Sequence, residues 1–195
     1  MESECATIIL AAGNSLRMGQ PKFALAMPNG YTFLEHITNQ YAKFGCQNIV
    51  VVLNSKGIIL INKHHQNLPS QTQLVLNSNP DLGRFSSIKA GLKEIDANFA
   101  FIHNVDNPYA NSTLLKQIYN VKQEAHVIKP VTNSRGGHPV LVSRKVIDCI
   151  LQEKENNLNF KEYLNKFQPK YIMVQDETIL YNINTYDEYL EFYRG

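Results

Sequence analysis

The chain alternates between short apolar runs and longer stretches in which apolar residues recur at helical spacing. Several of the short runs are apolar at every position, which is typical of strands that are covered on both faces. We predict strands over residues 7–11, 49–53, 73–76, 99–103, 126–129, 139–142 and 171–174. The amphipathic stretches predict helices over residues 33–44, 86–95 and 112–124, followed by a polar helix around Asn156 and a closing helix after Thr185.

Helix-end signals and the order of the elements indicate the fold class. Thr32 and Glu35 have the spacing of a capping box, Gly45 stands where the helix 33–44 should end, and Thr185 and Glu188 repeat the capping-box spacing. Strands that alternate with helices predict an α/β fold, a three-layer sandwich in which helices cover both faces of a mainly parallel sheet. Because no linker-like segment or internal repeat divides the chain, we expect one domain over residues 1–195.

Composition excludes several classes of function. Hydrophobic residues make up 44% and charged residues 18% of the 195 residues, as in a globular protein. The net charge of +2 carries no argument for a nucleic-acid partner, and no stretch approaches the roughly 18 apolar residues of a membrane helix. The start MESECATIIL lacks the features of a secretory signal, so we expect a cytoplasmic protein. Cys5, Cys46 and Cys149 have no metal or disulfide spacing and are interpreted as reduced packing residues.

The first strand leads into an unusual loop, in the stretch IILAAGNSLRMGQPKF of residues 8–23. In open parallel sheets, the loop after the first strand commonly binds a nucleotide. Residues 14–18 put Gly13 and Gly19 one position too far apart for a Walker loop, and a dinucleotide fingerprint needs further glycines. Small residues at 11–13 would still let a base or a triphosphate approach the backbone, and Arg17 and Lys22 would supply positive charge. The alternative is a simple turn with solvated cations.

The segment LAAGNSLRMGQPK, residues 10–22, resembles the signature loop of the MobA-like nucleotidyltransferases. This family includes molybdenum-cofactor cytidylyl- and guanylyltransferases and is related to sugar-phosphate nucleotidyltransferases. The resemblance implies a Rossmann-like fold of the glycosyltransferase-A type, a nucleoside triphosphate on this loop, and contacts from Arg17 and Lys22 to the triphosphate. A second segment, residues 79–92, resembles the part of the family that closes over the base. The residues that we predict to bind the nucleotide are Leu10, Ala11, Ala12, Gly13, Asn14, Ser15, Gly19, Asn79, Gly83 and Ser87. Taken alone, residues 79–92 also fit a turn followed by an ordinary helix start.

Two oxygen-bearing residues are candidate metal ligands. Asp106 ends the apolar strand of residues 99–103, where a carboxylate would face the same crevice as the first loop and could recruit Mg²⁺ together with a nucleotide. The resemblance assigns Asp106 this role, although an Asp before Asn107-Pro108 could simply begin a turn. At Asn182 and Asn184, relatives commonly carry aspartates. We predict Asn184 as a second ligand that brings no negative charge, with capping of the last helix as the alternative.

The segment RGGHPVL, residues 135–141, resembles the Gly-His-Pro segment that borders the acceptor in the family. We therefore predict Gly137 and His138 to bind the acceptor, without a catalytic role for His138. The alternative is a tight turn at Gly136 and Gly137 that leads into an edge strand beginning at Pro139.

The predicted function is transfer of a nucleoside monophosphate from a nucleoside triphosphate to a phosphorylated small-molecule acceptor, with release of pyrophosphate. Arg17, Lys22 and Asp106 are the predicted catalytic residues and Mg²⁺ the predicted cofactor. CTP is favoured because Ala12 and the Gly-His-Pro segment resemble the cytidylyl branch of the family, and molybdopterin, a sugar phosphate and another phosphorylated alcohol are all candidate acceptors. A nucleotide-binding accessory or regulatory protein with reduced catalysis is the alternative suggested by Asn182 and Asn184. A glycosyltransferase is weaker because the strand that ends at Asp106 lacks an Asp-x-Asp motif.

Two further features are given no functional role. The adjacent His64 and His65 lack the spacing of a helical metal pair. The aromatic residues near the carboxyl end have helical spacing and are expected to pack a helix; they are Tyr186, Tyr189, Phe192 and Tyr193.

Overall fold

The computed structural model describes residues 5–64 and 67–194. One β-sheet runs through it, and each of the seven predicted strands is present with bounds that differ by a few residues at most. The strands are β1 (Cys5–Leu10), β2 (Asn48–Leu53), β3 (Thr72–Leu76), β4 (Phe99–Asn104), β5 (Val127–Thr132), β6 (Arg135–Gly136), β7 (Val140–Ser143) and β8 (Lys170–Met173). The two-residue strand β6 has no counterpart in the predicted pattern.

The strand order is β3-β2-β1-β4-β7-β5-β6, and β8 also pairs with β5. Strands β1 to β4 pair in parallel, as does β8 with β5, whereas β7 pairs antiparallel with both β4 and β5. The expectation of an edge strand after Gly137 is therefore wrong, because β7 lies inside the sheet. The side chains of Val140, Leu141 and Val142 are all buried, which is what a strand with neighbours on both sides and layers on both faces requires.

The helices within the described residues cover both faces of the sheet. They are α1 (Phe33–Phe44), α2 (Ser55–His64), α3 (Arg84–Leu92), α4 (Ser112–Asn120), α5 (Arg144–Gln152), α6 (Phe160–Asn165) and α7 (Tyr186–Arg194). One core cluster unites alternate residues of β1 with α1 and α4, and the other unites the remaining residues of β1 with α3, α5 and α6. This confirms the predicted α/β fold class with its three layers and mostly parallel sheet.

Local signals account for several helix ends. The Thr32–Glu35 capping box is present, and Gly45 follows helix α1 with a φ of 105°, a left-handed conformation that favours glycine. The predicted polar helix around Asn156 is wrong. Asn156 lies in the connection between α5 and α6, and α6 begins after Asn159, whose side-chain oxygen accepts hydrogen bonds from two backbone N–H groups.

Several smaller predictions can be compared with the structure. Cys5 and Cys46 are buried, Cys149 is partly buried, and none of the three forms a disulfide within the described residues. Two of the four carboxyl-terminal aromatic rings, Tyr189 and Phe192, pack edge-on against Phe33, whereas about half of the other two side chains is exposed. The prediction that His64 and His65 have no functional role concerns, in part, residues outside those described. Across the described part of the chain, no helix has the length and apolar character needed to span a bilayer.

Candidate active site

The loop after β1 leaves the sheet between its two neighbouring strands. The Ala11 N–H donates a hydrogen bond to the Val52 carbonyl at 2.9 Å, and the Leu10 carbonyl accepts one from the Val105 N–H at 3.1 Å. The loop then turns tightly, because the N–H groups of Met18 and Gly19 both donate to the Ser15 carbonyl. The buried Met18 side chain anchors the turn in the core. The loop is thus held at the carboxyl ends of β1, β2 and β4.

A cavity of about 480 Å³ opens above this loop. Most of the predicted nucleotide-binding, catalytic and metal-ligating residues line it; they are Leu10, Ala11, Ala12, Gly13, Asn14, Ser15, Arg17, Lys22, Gly83, Ser87, Asp106 and Asn184. The lining also includes residues that sequence reasoning missed, namely Leu16, Phe23, Pro80, Arg84, Asn104 and Val105. The segments that the sequence analysis singled out at residues 10–22, 79–92 and 106 therefore meet around one space.

Three polar groups meet at the floor of the cavity. The Lys22 ammonium donates a hydrogen bond to Asp106 Oδ2 at 3.3 Å and to Asn184 Oδ1 at 2.7 Å. The Lys22 and Asp106 side chains are only 14% and 21% exposed, so solvent screens their attraction less than it would at the surface. The second carboxylate oxygen, Asp106 Oδ1, is buried and has no hydrogen-bond partner in the described part of the chain. A buried carboxylate oxygen without a donor is a favourable position for a cation.

The oxygens of Asp106 and Asn184 suit a hard divalent cation. Carboxylate and amide oxygens are ligands that Mg²⁺ accepts, and this ion commonly takes only one or two protein ligands because phosphate oxygens and water complete its shell. Among the described residues there is no cluster of three or more His, Cys, Asp or Glu side chains that would form an all-protein metal cage. The donor set therefore fits a metal that arrives with a phosphorylated ligand.

The segment that carries Asn184 is fastened to the end of β4. The Asp106 carbonyl accepts a hydrogen bond from the Ile183 N–H at 2.8 Å. The buried Asn107 amide donates to the carbonyls of Thr178, Ile179 and Tyr181. These bonds hold residues 178–183 beside Asp106. They explain how Asp106 and Asn184, which are far apart in the chain, both contact the Lys22 ammonium.

A buried histidine supports the same strand end. The Tyr41 hydroxyl donates to His103 Nδ1 at 2.9 Å, and His103 Nε2–H donates to the Asn107 carbonyl at 2.7 Å. Burial lowers the pKa of His103 to about 4, so its ring is neutral at ordinary pH and this assignment of donors and acceptors is the one that satisfies both nitrogens. Sequence reasoning missed this role, although a histidine inside the apolar run FAFIH is a signal for it.

Asparagine side chains hold the opposite walls of the cavity. The Asn54 amide donates to the Ala12 carbonyl at 3.0 Å. The Asn77 amide donates to the hydroxyls of Ser86 and Ser87 at 3.0 and 2.9 Å, which orients the Ser87 side chain. Neither Asn54 nor Asn77 was among the predicted site residues. Both follow a strand directly, which is the position from which they could have been found.

Four predicted site residues do not line the cavity: Gly19, Asn79, Gly137 and His138. Gly137 packs against Ile179, whose carbonyl oxygen would lie 2.5 Å from a Cβ at position 137. His138 adjoins the cavity wall, because its Nε2 lies 2.9 Å from the side-chain amide nitrogen of the lining residue Asn104. Burial, together with nearby basic groups, lowers the pKa of His138 to about 3.

The remaining predicted residues differ in their surroundings. Arg17 is exposed at the cavity lining. Asn182 is exposed, lies outside the lining, and donates to the Leu180 carbonyl. The Thr185–Glu188 capping box is present, with backbone N–H groups of Asn184 and Thr185 donating to the Glu188 carboxylate. Asn184 therefore contributes its backbone to the helix cap and its side-chain oxygen to the Lys22 contact.

Comparison with known proteins agrees with this geometry. The model of the MobA-like NTP transferase domain matches residues 7–165, which include the loop, Asp106 and the Gly-His-Pro segment. The chain belongs to this family. It is therefore a MobA-like protein of the nucleotidyltransferase type.

Relatives of this MobA-like chain cover nearly its whole length. It is 27% identical over 187 residues to the molybdenum cofactor cytidylyltransferase of Escherichia coli (strain K12), covering 94% of this chain and 92% of the relative. It is 30% identical over 205 residues to a probable molybdenum cofactor guanylyltransferase of Bacillus cereus (strain AH187), covering 97% of this chain and 96% of the relative. The crystal structure of Rv0371c from Mycobacterium tuberculosis H37Rv has the same fold, with a TM-score of 0.84, 18% identity, and coverage of 98% of this chain and 97% of that one.

Proposed function

We propose that this chain transfers a nucleoside monophosphate, CMP in preference, from a nucleoside triphosphate to a phosphorylated small-molecule acceptor and releases pyrophosphate. The observation that carries the proposal is the meeting of Lys22, Asp106 and Asn184 on the floor of a cavity that is lined by the family's signature loop. A single domain over residues 1–195 and a cytoplasmic location stay predictions.

The reaction needs no covalent enzyme intermediate. An oxygen of the acceptor phosphate attacks the α-phosphorus of the nucleotide, a new P–O bond forms, and the bond from the α-phosphorus to the bridging oxygen breaks, so that pyrophosphate leaves with the electron pair. Lys22 on the floor and Arg17 at the mouth of the cavity are the cations available to bind the triphosphate and offset the charge that moves to the leaving group. Their role is to bind and orient, with electrostatic stabilisation of the transition state.

Asp106 and Asn184 would hold the divalent cation that this chemistry requires. Two observations support this assignment. Asp106 Oδ1 has no hydrogen-bond partner within the described residues, and the Lys22 ammonium already contacts both Asp106 Oδ2 and Asn184 Oδ1. When bound, Mg²⁺ supplies charge neutralisation for the phosphates. Because Asn184 brings no negative charge, the ion depends more on the triphosphate than it would with two carboxylates.

The preference for CTP rests on Ala12. The curated relatives include a cytidylyltransferase and guanylyltransferases, so likeness alone does not choose between CTP and GTP. Ala12 is buried at the cavity lining, and its carbonyl accepts a hydrogen bond from the Asn54 amide; its match to the cytidylyl branch of the family supports CTP. The names of these relatives support molybdopterin as the acceptor, and a sugar phosphate is the other candidate.

A nucleotide-binding accessory protein with reduced catalysis is the second candidate. The specific observation in its favour is the pair Asn182 and Asn184. Asn184, the proposed metal ligand beside Lys22, carries no charge, and Asn182 does not line the cavity. This candidate predicts that nucleotides raise the unfolding temperature in the presence of Mg²⁺ but that no pyrophosphate forms.

Pyrophosphate release distinguishes the two candidates. We expect the full chain to release pyrophosphate from CTP in the presence of Mg²⁺ and molybdopterin or a sugar phosphate, and Asp106→Asn to lose this activity by about 10²–10³-fold because it removes a positioned charge. Asp148→Asn, a change on the exposed face of α5, is the matched control. Nucleotide binding without turnover across both acceptor classes would favour the accessory protein. Full activity of Asp106→Asn would contradict the assigned site.

A further inference from the structure

The ammonium of Lys22 lies between the two oxygens that are assigned to the metal. Lys22 Nζ is 2.7 Å from Asn184 Oδ1 and 3.3 Å from Asp106 Oδ2. The Asn184 amide nitrogen donates to the Asn182 carbonyl at 3.0 Å, so the amide is oriented with its oxygen toward the ammonium. Both proposed ligand side chains therefore already accept hydrogen bonds from a cation that belongs to the chain itself.

A divalent cation on these oxygens is disfavoured while the ammonium stays in its place. Mg²⁺ binds its oxygen ligands so closely that it would lie within about 5 Å of Lys22 Nζ if both contacted Asn184 Oδ1. Asp106 offers one negative charge and Asn184 offers none. The carboxylate of Glu188, on the same segment, already accepts the backbone N–H groups of Asn184 and Thr185. Because Lys22 and Asp106 are partly buried, solvent screens the repulsion between the two cations only in part.

Lys22 can leave this position by rotating its side chain alone. Its backbone N–H donates to Ser15 Oγ at 3.3 Å, and the side chain of the next residue, Phe23, is buried in the core, so the backbone is held. The ammonium stands at the end of a flexible four-carbon chain and can donate in several directions. Lys22 lines the cavity together with the signature loop, so a triphosphate on that loop would lie within reach of the ammonium.

We propose that Lys22 and the divalent cation exclude each other at Asp106 and Asn184, and that a triphosphate ends this exclusion by drawing the Lys22 ammonium away. This inference rests on the proposed function, because it takes the triphosphate as the group that Lys22 contacts next. In the free protein Lys22 holds both ligand side chains, so a metal binds them weakly. Once the ammonium contacts phosphate, the oxygens of Asp106 and Asn184 are available. The Lys22 contact thus regulates the order of binding, with metal bound tightly only together with the nucleotide.

Binding of Mn²⁺ to the full chain without nucleotide tests the exclusion. Mn²⁺ accepts the same oxygen ligands as Mg²⁺, and its electron paramagnetic resonance signal measures the free ion. We expect Lys22→Met to bind Mn²⁺ about tenfold more tightly than wild type or better, because the competing cation is removed from the ligand oxygens. Lys22→Arg keeps the charge and should bind Mn²⁺ no more tightly than wild type. Arg17→Met is the matched control, since it removes a charge that lines the same cavity but contacts neither Asp106 nor Asn184, and it should change the Mn²⁺ affinity by less than about threefold.

Nucleotide binding in the absence of metal tests the release of Lys22. With EDTA present, calorimetry measures the affinity for a non-hydrolysable α,β-methylene analogue of CTP. Asn184→Ala removes the acceptor at 2.7 Å from Lys22 Nζ, so it should strengthen metal-free binding about threefold or more, because less interaction is broken when the ammonium moves to phosphate. If Asn184 served only as a metal ligand, the metal-free affinity would stay unchanged. Asn182→Ala is the matched control, because the Asn182 side chain lies outside the cavity lining, and it should keep the wild-type affinity.

Each measurement has an outcome that would overturn the inference. These outcomes are Mn²⁺ binding by folded Lys22→Met that is absent or no tighter than in wild type, an equal gain in Lys22→Met and Arg17→Met, and metal-free nucleotide binding by Asn184→Ala that is no tighter than in wild type. Thermal unfolding establishes that each variant is folded, and if Lys22→Met is not, the Asn184→Ala titration decides. Absence of nucleotide binding by the wild type with and without Mg²⁺ would instead contradict the proposed function, whereas the Mn²⁺ titration would still test the exclusion.

Discussion

Lys22 is the residue on which the candidate site depends most, because its ammonium joins two segments that are distant in the chain. It contacts Asp106 after β4 and Asn184 before α7. Removing the ammonium has two consequences. A partly buried carboxylate loses its cation, and, under the proposed function, the triphosphate loses one of its two cationic contacts.

Lys22→Met should lower kcat/KM for pyrophosphate release by about 10²–10³-fold, the usual effect of losing one positioned charge contact. Lys145→Met, on the exposed surface of α5, is the control for removing a lysine elsewhere. The measurement is pyrophosphate release at saturating Mg²⁺. A variant with less than a tenfold loss would show that Lys22 serves the Asp106–Asn184 contact and has no part in transfer.

Ala12 permits a second test at the scale of one methyl group. Under the proposed preference for CTP, Ala12→Gly removes a methyl group at the cavity lining, so the ratio of kcat/KM for CTP to that for GTP should fall about tenfold, as expected for one methyl group in a pocket. Ala11→Gly is the comparison variant in the same loop: Ala11 also lines the cavity, but it packs in the core cluster with α1 and α4, whereas Ala12 packs in the cluster with α3, α5 and α6. An equal change in both variants would point to loop flexibility as the cause.

Among the elements, strands and helix ends were easier to predict than the helices that lack a regular stripe. The sequence predicted the seven longer strands because their apolar runs are dense. It predicted α1 from the capping-box spacing and Gly45, and the structure contains the capping hydrogen bonds that this spacing predicts. Helix α2 was missed because its centre, GIILI, is a short apolar run with no clear helical period. The position of β7 could not be predicted, since a run that is buried on both faces fits an inner strand of either direction.

The end of β4 provides a prediction about pH. Burial holds the pKa of His103 at about 4 in the folded protein, below its ordinary value of 6.5. Below pH 6.5 the unfolded chain binds a proton that the folded chain does not, so the free energy of unfolding should fall by about 1.4 kcal/mol per pH unit between pH 6.5 and 4 on account of this residue. Tyr41 and Asn107 contact the ring, and Asp106 and His36 act on its charge.

Urea unfolding at several pH values measures this effect. In His103→Gln the slope of the free energy of unfolding against pH over this interval should be shallower than in wild type by about 1.4 kcal/mol per pH unit, which corresponds to one proton. His126→Gln, a change of a surface histidine, should keep the wild-type slope. Equal slopes in wild type and His103→Gln would contradict the neutral, buried state of this ring.

In the whole molecule, the candidate site depends on contacts that join the amino-terminal and carboxyl-terminal parts of the chain. The loop of residues 10–22 and Asp106 could be predicted because strand ends in a parallel sheet share one edge. The resemblance supplied Asn184 as a candidate. Nothing in the sequence indicated that Asn107 would fasten residues 178–181 beside Asp106. Such contacts depend on packing between distant segments, which local patterns do not encode.

Gly137 is the position where this packing can be tested across the molecule. A Cβ at position 137 would lie 2.5 Å from the Ile179 carbonyl oxygen and 2.6 Å from its Cγ1, whereas at Gly136 the nearest atom would be 4.0 Å away. Gly137→Ala must therefore displace the turn that Asn107 holds, and we expect the free energy of unfolding to fall by about 1–3 kcal/mol, as for other overpacked sites. Gly136→Ala is the adjacent control and should change it by less than about 0.5 kcal/mol.

The displaced turn leads directly to Ile183 and Asn184, so the strain should also reach the cation site. We expect Gly137→Ala to need a higher Mg²⁺ concentration for half-maximal stabilisation by CTP in thermal unfolding, while Gly136→Ala keeps the wild-type requirement. The physical reason is that the Ile183 N–H bond to the Asp106 carbonyl fixes the separation of Asp106 and Asn184. If Gly137→Ala lost stability but kept the wild-type Mg²⁺ requirement, residues 178–183 would not be the link that positions Asn184.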